Sequence, residues 1–353
     1  MKKSKFQNPN KLGKNIIREI FCLDLSFFGF ICHLVFVIWF FSFATSNAAV
    51  IGSTDDSMTV GGGARPIGMG RAFTAIADDC DAIFINPAGI AGLKGPQLMS
   101  MATNLLGEVY YLEFSGAVPT PNGTFAAGYI TTGVNGIPTG QVLTDYYDSL
   151  LTLSYAVPLA RYFTYGKNLY AGVNYKIYNR GFTGGVNQFA TGQSADLGLK
   201  FIISQNLSLG LCRQNILPVS MGGVIHLSAG EEESLAGITK LGIAVKPTVQ
   251  EKLLVSADID LPAESGRPTT AHMGFEWKEN KYFTFRGGLD QSVDPATASH
   301  TSWNPALGAS LNYFGLRVDY AYHAYYNDPG LATQYVSLSY IGEPLFSLKG
   351  AVN

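Results

Sequence analysis

Charge is what this chain has least of. Only 14% of its 353 residues are Asp, Glu, Lys or Arg, against roughly a quarter in an ordinary soluble domain. A surface so short of charge cannot lie mostly in water. Cysteine is scarce as well, with four in the whole chain, too few and too scattered for a disulfide framework. There is no excess of Lys and Arg to bind nucleic acid, since the formal net charge is −2. Catalytic patterns are missing too: no G-x-S-x-G elbow occurs, and neither the His nor the Cys spacing makes a zinc site. No enzyme, cofactor or metal is therefore expected. Nor does the body of the chain hold an apolar run approaching the roughly 20 residues that a membrane helix needs.

The one long apolar run is at the N-terminus. Lys2, Lys3, Lys5, Lys11, Lys14 and Arg18 precede an uncharged stretch from Leu25 to Phe43, and Ser46-Asn47-Ala48 follows with small residues at its ends. Residues 1–48 thus read as a cleavable export signal. Its apolar core, Leu34 to Phe43, is shorter than the alternative, a permanent anchor, would require. Removing it leaves a mature chain of about −6 in formal charge, with Cys80 and Cys212 as its remaining thiols.

What the mature chain has in quantity is Gly, 40 in all, together with Tyr and Phe. After Pro96 these fall into segments of about ten residues with period-2 patterning, the signature of membrane-spanning strands. About fourteen are counted, beginning near Gln97, Val109, Gly123, Ser149, Leu169, Gln193, Leu207, Ile238, Lys252, Thr270, Tyr282, Trp303, Leu316 and Gln334. Leu253, Val255, Ala257 and Ile259 share one face while Ser256, Asp258 and Asp260 share the other. Phe283 and Phe285 alternate with Thr284 and Arg286 in the same way. Joints such as Ser204 to Asn206 and Glu279 to Lys281 are short, whereas Val134 to Asp148, Arg180 to Gly192 and Asn215 to Gly237 are long. Tyr110, Tyr178, Tyr282 and Tyr325, at segment ends, suit aromatic girdles. The expected fold is an all-β, transmembrane antiparallel β-barrel of about fourteen strands. It would cover residues 97–341 and be followed by a tail at 342–353, with short turns facing the periplasm and long loops outside.

Between signal and barrel lies GGGARPIGMGRAFTAIADDCDAIFINPAGIAGL, Gly61 to Leu93. Its Gly68-Met69-Gly70 entry, its Ala72 to Asp79 stretch and its Asn86-Pro87-Ala88-Gly89 turn resemble the inward-folded N-terminal hatch of FadL-type and PorV/PorQ-type outer-membrane barrels. Several later stretches, among them SADLGLKF and HMGFEWKENKYFTFRGGLDQ, resemble strand motifs of the PorV/PorQ-type group in their usual order. Arg71 departs from the pattern, standing where these families usually place Gly. The resemblance implies a hatch at residues 49–96 and a cell outer membrane location in a diderm bacterium. It also implies passive passage of hydrophobic small molecules. An alternative, taken from the PorV-type relatives, is a non-transporting barrel that partners a secretion machine or its cargo. The expected surroundings are outer-membrane lipid and, on the first reading, a hydrophobic ligand.

Candidate residues follow from phase and motif. Asn86 is a good N-cap with Pro87 at the first helical position, so Asn86 to Leu93 reads as one capped helical turn. The hatch set is Gly68, Gly70, Asp78, Asp79, Asn86, Pro87, Ala88 and Gly89. Asp78, Asp79 and Asp81 cluster, but their spacing fits no cation loop. Asp196, Lys200, Asp258, Glu276, Arg286, Arg317 and Asp319 share the inward phase, either as an ion-pair network holding the barrel or as a selectivity lining. Glu276 and Arg286 should meet across a short turn. Gly128 and Gly133 are candidates for a kink and lateral gap in the third strand.

Overall fold

The computed structural model describes residues 62–105, 108–163, 166–185, 187–228, 230–247, 252–264, 266–293, 301–325 and 332–344. The expected signal, the start of the hatch and the end of the tail lie outside them. Sixteen strands form one sheet: β1 (Gln97–Leu105), β2 (Val109–Thr120), β3 (Gly123–Thr139), β4 (Val142–Pro158), β5 (Leu169–Gly184), β6 (Gln188–Ser204), β7 (Leu207–Gln214), β8 (Val224–Leu227), β9 (Glu232–Ser234), β10 (Ile238–Val245), β11 (Leu253–Pro262), β12 (Thr270–Lys278), β13 (Phe283–Val293), β14 (Thr301–Tyr313), β15 (Leu316–His323) and β16 (Thr333–Ile341). Fourteen of them, β1–β7 and β10–β16, each pair antiparallel with two barrel neighbours, and β1 meets β16 to close the ring. Closure satisfies the backbone without leaving an edge.

The alternation read from the sequence sets the two faces. Along β15 the pattern is strictly exposed then buried, with Leu316, Val318, Tyr320 and Tyr322 outward and Arg317, Asp319, Ala321 and His323 inward. Outward positions carry an apolar belt that includes Leu98, Phe114, Ile259, Phe275, Leu289, Leu307 and Leu338. Aromatic rings collect at the short-turn end, where Phe125 meets Tyr155 at 4.7 Å and Tyr313 meets Tyr282 and Phe314 at 6.4 and 4.4 Å between centroids. Two of the expected girdle residues do not belong there. Tyr178 faces inward and is buried, donating to Asn215 Oδ1 at 3.1 Å, and Tyr325 lies edge-on to the inward His323.

Two expected outer loops are largely strand, and a third carries a short hairpin. β3 and β4 continue to a turn near Gly140, and β5 and β6 run to Gly184 and from Gln188. Asn215 to Gly237 contains the β8–β9 hairpin, which pairs with the upper part of β6. Above an apolar belt the strands still have backbone partners, so pairing continues past the ten or so residues that a bilayer requires.

The belt predicts a depth-dependent response to charge on one strand face. Leu307→Lys, in the middle of β14, should destabilise the barrel by about 2 to 4 kcal/mol, and Tyr313→Lys at the short-turn rim by about 1 kcal/mol or less. Urea titration of refolding into lipid vesicles measures both. Equal losses at the two positions would mean that the belt is not a membrane-facing surface.

Candidate functional site: the plugged lumen

The lumen is filled by the chain's own N-terminal segment. Helix α1 (Ala64–Gly68) enters after Gly63, whose φ of 79° suits a residue without Cβ. Two 3-10 turns follow, Cys80–Phe84 and Pro87–Gly92. Asn86 caps the second as expected, accepting from Ala88 N at 3.2 Å with Pro87 at its first position. The fully buried Asn86 also donates to Thr74 O at 2.9 Å and to Leu199 O at 3.1 Å, tying the turn to the plug and to β6.

Room for this plug comes from inward glycines around the wall. A Cβ on Gly172 or Gly198 would come within 2.4 Å of Pro87 C or 2.2 Å of Asn86 Oδ1. On Gly210 it would lie 2.2 Å from Thr74 O, on Gly274 2.1 Å from Met69 O and on Gly288 2.3 Å from Gly70 N. Plug backbone thus lies directly on wall backbone. Gly68 and Gly70 serve the same purpose from the other side, approaching Gly308 Cα and the Leu289 backbone. Gly89 rests on Ala77.

Six charges lock the plug to one side of the wall. Arg65 Nε meets Glu276 Oε2 at 2.9 Å, Glu276 Oε2 accepts from Arg286 Nε at 2.8 Å, and Arg286 Nη1 reaches Asp319 Oδ1 at 3.1 Å. Asp319 Oδ2 accepts from Arg317 Nε at 2.7 Å, Arg317 Nη2 donates to Asp79 Oδ2 at 3.1 Å, and Asp79 Oδ2 returns to Arg65 Nη1 at 2.9 Å. The sequence-expected Glu276, Arg286, Arg317 and Asp319 are therefore brought together with Asp79. Arg65, which no motif or strand phase marks out in the sequence, completes the circuit. Asp78 adds a bond to Arg65 at 2.6 Å. Burial alone would lower the Arg65 pKa, but Asp78, Glu276 and Asp79 together hold it well above its ordinary value.

The other inward candidates lie elsewhere on the wall. Asp258 accepts from Phe73 N and Thr74 N at 2.8 and 2.7 Å. Lys200 donates to Ile76 O and Ala77 O, and Asp196 pairs with Lys176 at 2.9 Å. A further polar group was not foreseen: Asp290 holds His272 Nδ1 at 2.7 Å and His323 Nε2 at 3.0 Å, with Arg71 Nε at 3.6 Å. Arg71 has φ 63°, left-handed backbone that a Gly would adopt without strain.

Asp81 turns away from the six-charge circuit and accepts from Ser115 Oγ at 2.9 Å. Buried among Asp79, Ser115 and the Gly63 backbone, it is pushed up to about 8 by burial and then by Asp79. Among the described residues no group of His, Cys, Asp and Glu is arranged to hold a metal ion.

Gly128 and Gly133 are placed differently from the expected gap. β3 pairs without interruption with β2 and β4 through both residues, and its register shifts only between Val134 and Ile137. A Cβ on Gly128 would meet Phe84 and Ile83 of the plug, and one on Gly133 would meet Tyr146 O and the Tyr110 ring. These glycines make room for neighbours and leave the ladder closed. A cavity of about 280 Å³ lies at the short-turn end beneath the plug, lined by Ala75, Ile76, Gly89, Tyr170 and Lys200 among others.

The lining mixes apolar and charged groups. On β1–β6 the inward residues include Met99, Met101, Tyr111, Ile130, Leu150 and Tyr178, which join Ile83, Phe84 and Ile90 of the plug in one apolar cluster, beside the buried Glu113, Asp148, Lys176 and Asp196. On β10–β16 they include Asp258, His272, Glu276, Arg286, Asp290, Arg317 and Asp319.

Two outcomes follow. Gly274→Ala forces a Cβ against Met69 O and should displace the plug while the barrel remains folded, whereas Gly92→Ala, with nothing within 4 Å of its Cβ, should not. Limited proteolysis of the plug and single-channel conductance read the difference. The second outcome concerns Asp81. Its folded-state pKa is raised, so its contribution is full below the unfolded carboxylate range near about pH 4 and is lost as pH rises to about 8. Plug protection should therefore be weaker at about pH 9 than at about pH 6, and Asp81→Asn should flatten the dependence. A profile unchanged by that substitution would assign the titration to another group.

The chain matches no known family model and no curated protein. Solved structures do resemble it. The Pseudomonas putida toluene transporter TodX superposes with a TM-score of 0.59 at 14% identity, over 80% of this chain and 99% of that one. The CymD monoaromatic hydrocarbon channel gives 0.56 at 12% identity, over 81% and 98%. A Pseudomonas aeruginosa FadL homologue gives 0.52 at 13% identity, over 79% and 98%. With its fourteen antiparallel strands closed around an N-terminal plug, the chain has the fold of the FadL-type transport barrels.

Proposed function

We propose that this protein is a passive channel for hydrophobic small molecules in the cell outer membrane of a diderm bacterium. The observation that carries the reading is a lumen whose charges are engaged around an apolar cluster. Charges on β10–β16 pair with one another and with the plug. Those on β2–β6 are engaged too, Glu113 by Gly63 N, Asp148 by Arg180 and Asp196 by Lys176, leaving a stretch of apolar wall at Met99, Met101, Ile130 and Leu150. An apolar solute can follow that wall without desolvating a lone charge. The outward belt supports a bilayer setting, since closed barrels cross membranes with alternate apolar residues. Short turns then face the periplasm and the β8–β9 end faces outward. The printed descriptions of TodX and CymD, a toluene transporter and a monoaromatic hydrocarbon channel, support a small hydrophobic cargo class. No feature of the described residues favours the alternative of a non-transporting secretion partner.

With the plug seated and the β3 ladder closed, passage requires the plug to move. Asn86 and Pro87 pin its second turn to β6, and losing a cap costs about 1 kcal/mol, small against a closed barrel. The double substitution Asn86→Ala with Pro87→Gly should leave a folded, heat-modifiable barrel and raise the entry rate of a lipophilic fluorescent probe into cells. A folded barrel whose probe uptake matches wild type would remove the channel reading's mechanism.

A further inference from the structure

The loop between β7 and β10 is tied to the plug as well as lying over the barrel. At its near end Asn215 adopts φ 52° and turns the chain out of β7, and Ile216 N then donates to Ala195 O at 2.8 Å. The Asn215 side chain clasps the neck of the loop. Its Nδ2 donates to Ala236 O at 2.9 Å, and its Oδ1 accepts from Tyr178 OH at 3.1 Å and Lys176 Nζ at 3.3 Å. Farther out, β8 adds to the edge of β6 and carries Ile225, 1% exposed, into the apolar cluster that contains Ile83 and Phe84 of the plug. The tip is held by Glu233, 3.2 Å from Arg180 on β5.

Two arms run from this neck to three consecutive plug carbonyls. Gln214, the residue before Asn215, donates through Nε2 to Phe84 O at 3.0 Å and Ile85 O at 3.5 Å. The Asn215 backbone N donates to Asp196 Oδ1 at 2.9 Å; Asp196 Oδ2 in turn accepts from Asn174 Nδ2 at 2.8 Å, and the same Asn174 amide donates to Ile83 O at 2.7 Å. The loop neck and the Ile83–Ile85 segment are thus one hydrogen bond apart through Gln214 and three through Asp196 and Asn174, by way of buried groups whose hydrogen bonds are expensive to leave unmade.

We propose that the β8–β9 hairpin is a lid whose lifting unlocks the plug through Gln214, Asn215, Asp196 and Asn174. When Ile225 leaves the cluster, the neck clasp at Asn215 opens. Gln214 is then drawn off Phe84 O and Ile85 O, Asp196 loses the Asn215 N–H, and the Asn174 bridge to Ile83 O loses its orienting partner. A ligand entering between Ile225 and the apolar wall would trade lid contacts for its own and so favour the released plug. Its part in admitting a ligand rests on the channel reading above; the coupling of lid to plug does not.

The protein carries its own reporters. Cys80 lies in the plug and Cys212 in β7, and both are buried free thiols. The rate of alkylation of Cys80 by a water-soluble maleimide reads plug release, while slow alkylation of Cys212 certifies an intact wall. Ile225→Asp places a charge in the cluster and ejects the lid, which protease cleavage within residues 224–234 verifies. Coupling between sites commonly amounts to fivefold or more, so Ile225→Asp should speed Cys80 alkylation by at least about fivefold with Cys212 unchanged. In a chain already carrying Asn174→Ala and Gln214→Ala, the same lid substitution should change the Cys80 rate by less than about twofold. A lid shown to be released while Cys80 stays at the wild-type rate overturns the proposal, as does an equal acceleration with and without the two arms. Should Ile225→Asp expose Cys212 as well, Glu233→Lys, which sets a like charge beside Arg180, provides the same comparison with a milder change. None of these readings needs a transported molecule, so a failure of coupling is distinct from a failure of transport.

Discussion

The arrangement depends on a closed circuit of three guanidinium groups and three carboxylates at the centre of the lumen: Arg65, Glu276, Arg286, Asp319, Arg317 and Asp79. Each member is buried, and each touches two of opposite sign. Burying any one of them alone would cost several kcal/mol, and removing one member of such a group costs about 3 to 5 kcal/mol because its partners are left uncompensated. Two of the six belong to the plug and four to β12, β13 and β15. The wall's four members and the plug's two are each neutral as a set, so seating the plug gives Glu276 and Arg317 a second partner without changing the net charge.

That electrostatic anchor is joined by close backbone contact on both sides of the plug. Plug backbone lies against inward glycines at Gly172, Gly198 and Gly210 on β5–β7 and at Gly274 and Gly288 on β12 and β13, where a methyl group would collide. Side chains such as Asn86, Lys200, Ser208 and Asp258 then satisfy the plug amides and carbonyls that the close approach would otherwise bury without partners. The plug is consequently held on one side by a circuit indifferent to small shifts in apolar packing. On the other it is held by single hydrogen bonds to Ile83, Phe84 and Ile85, which can be released a few at a time. A movable element placed in a rigid barrel needs that imbalance: one firm hinge side and one side of low local stability.

Pairing of the lining charges leaves room for an apolar cluster on β1–β5. Tyr111, Ile130, Leu150 and Tyr178 would be ordinary core residues in a soluble protein; here they pack with Ile83 and Phe84 of the plug and Ile225 of the β8–β9 hairpin.

The sequence by itself determined the strand count, the faces and much of the plug. A period-2 pattern with charges on one side leaves a barrel strand few alternatives, because a slip of one residue would turn Arg317 and Asp319 toward lipid. Asn86-Pro87 likewise announced a capped turn through local chemistry alone. The extent of the strands above the belt was hidden, because Val142–Ser149 and Gln188–Gly192 carry polar residues that read as loop although they pair across hairpins, Val142 with Thr139 and Gln188 with Phe182. Tyr178 was assigned to a girdle for a related reason: its position near a segment end was visible, but its inward direction depended on how far β5 continued. Only the tertiary structure decided which charges meet. Arg65 and Glu276 lie 211 residues apart, and no spacing rule joins a hatch arginine to a carboxylate on the tenth barrel strand. The same holds for Gly128, whose meaning as room for Phe84 arises only once the plug is inside. Periodicity is a property of neighbours along the chain, whereas the plug's fit and its circuit of charges are properties of surfaces that the barrel brings together by closing.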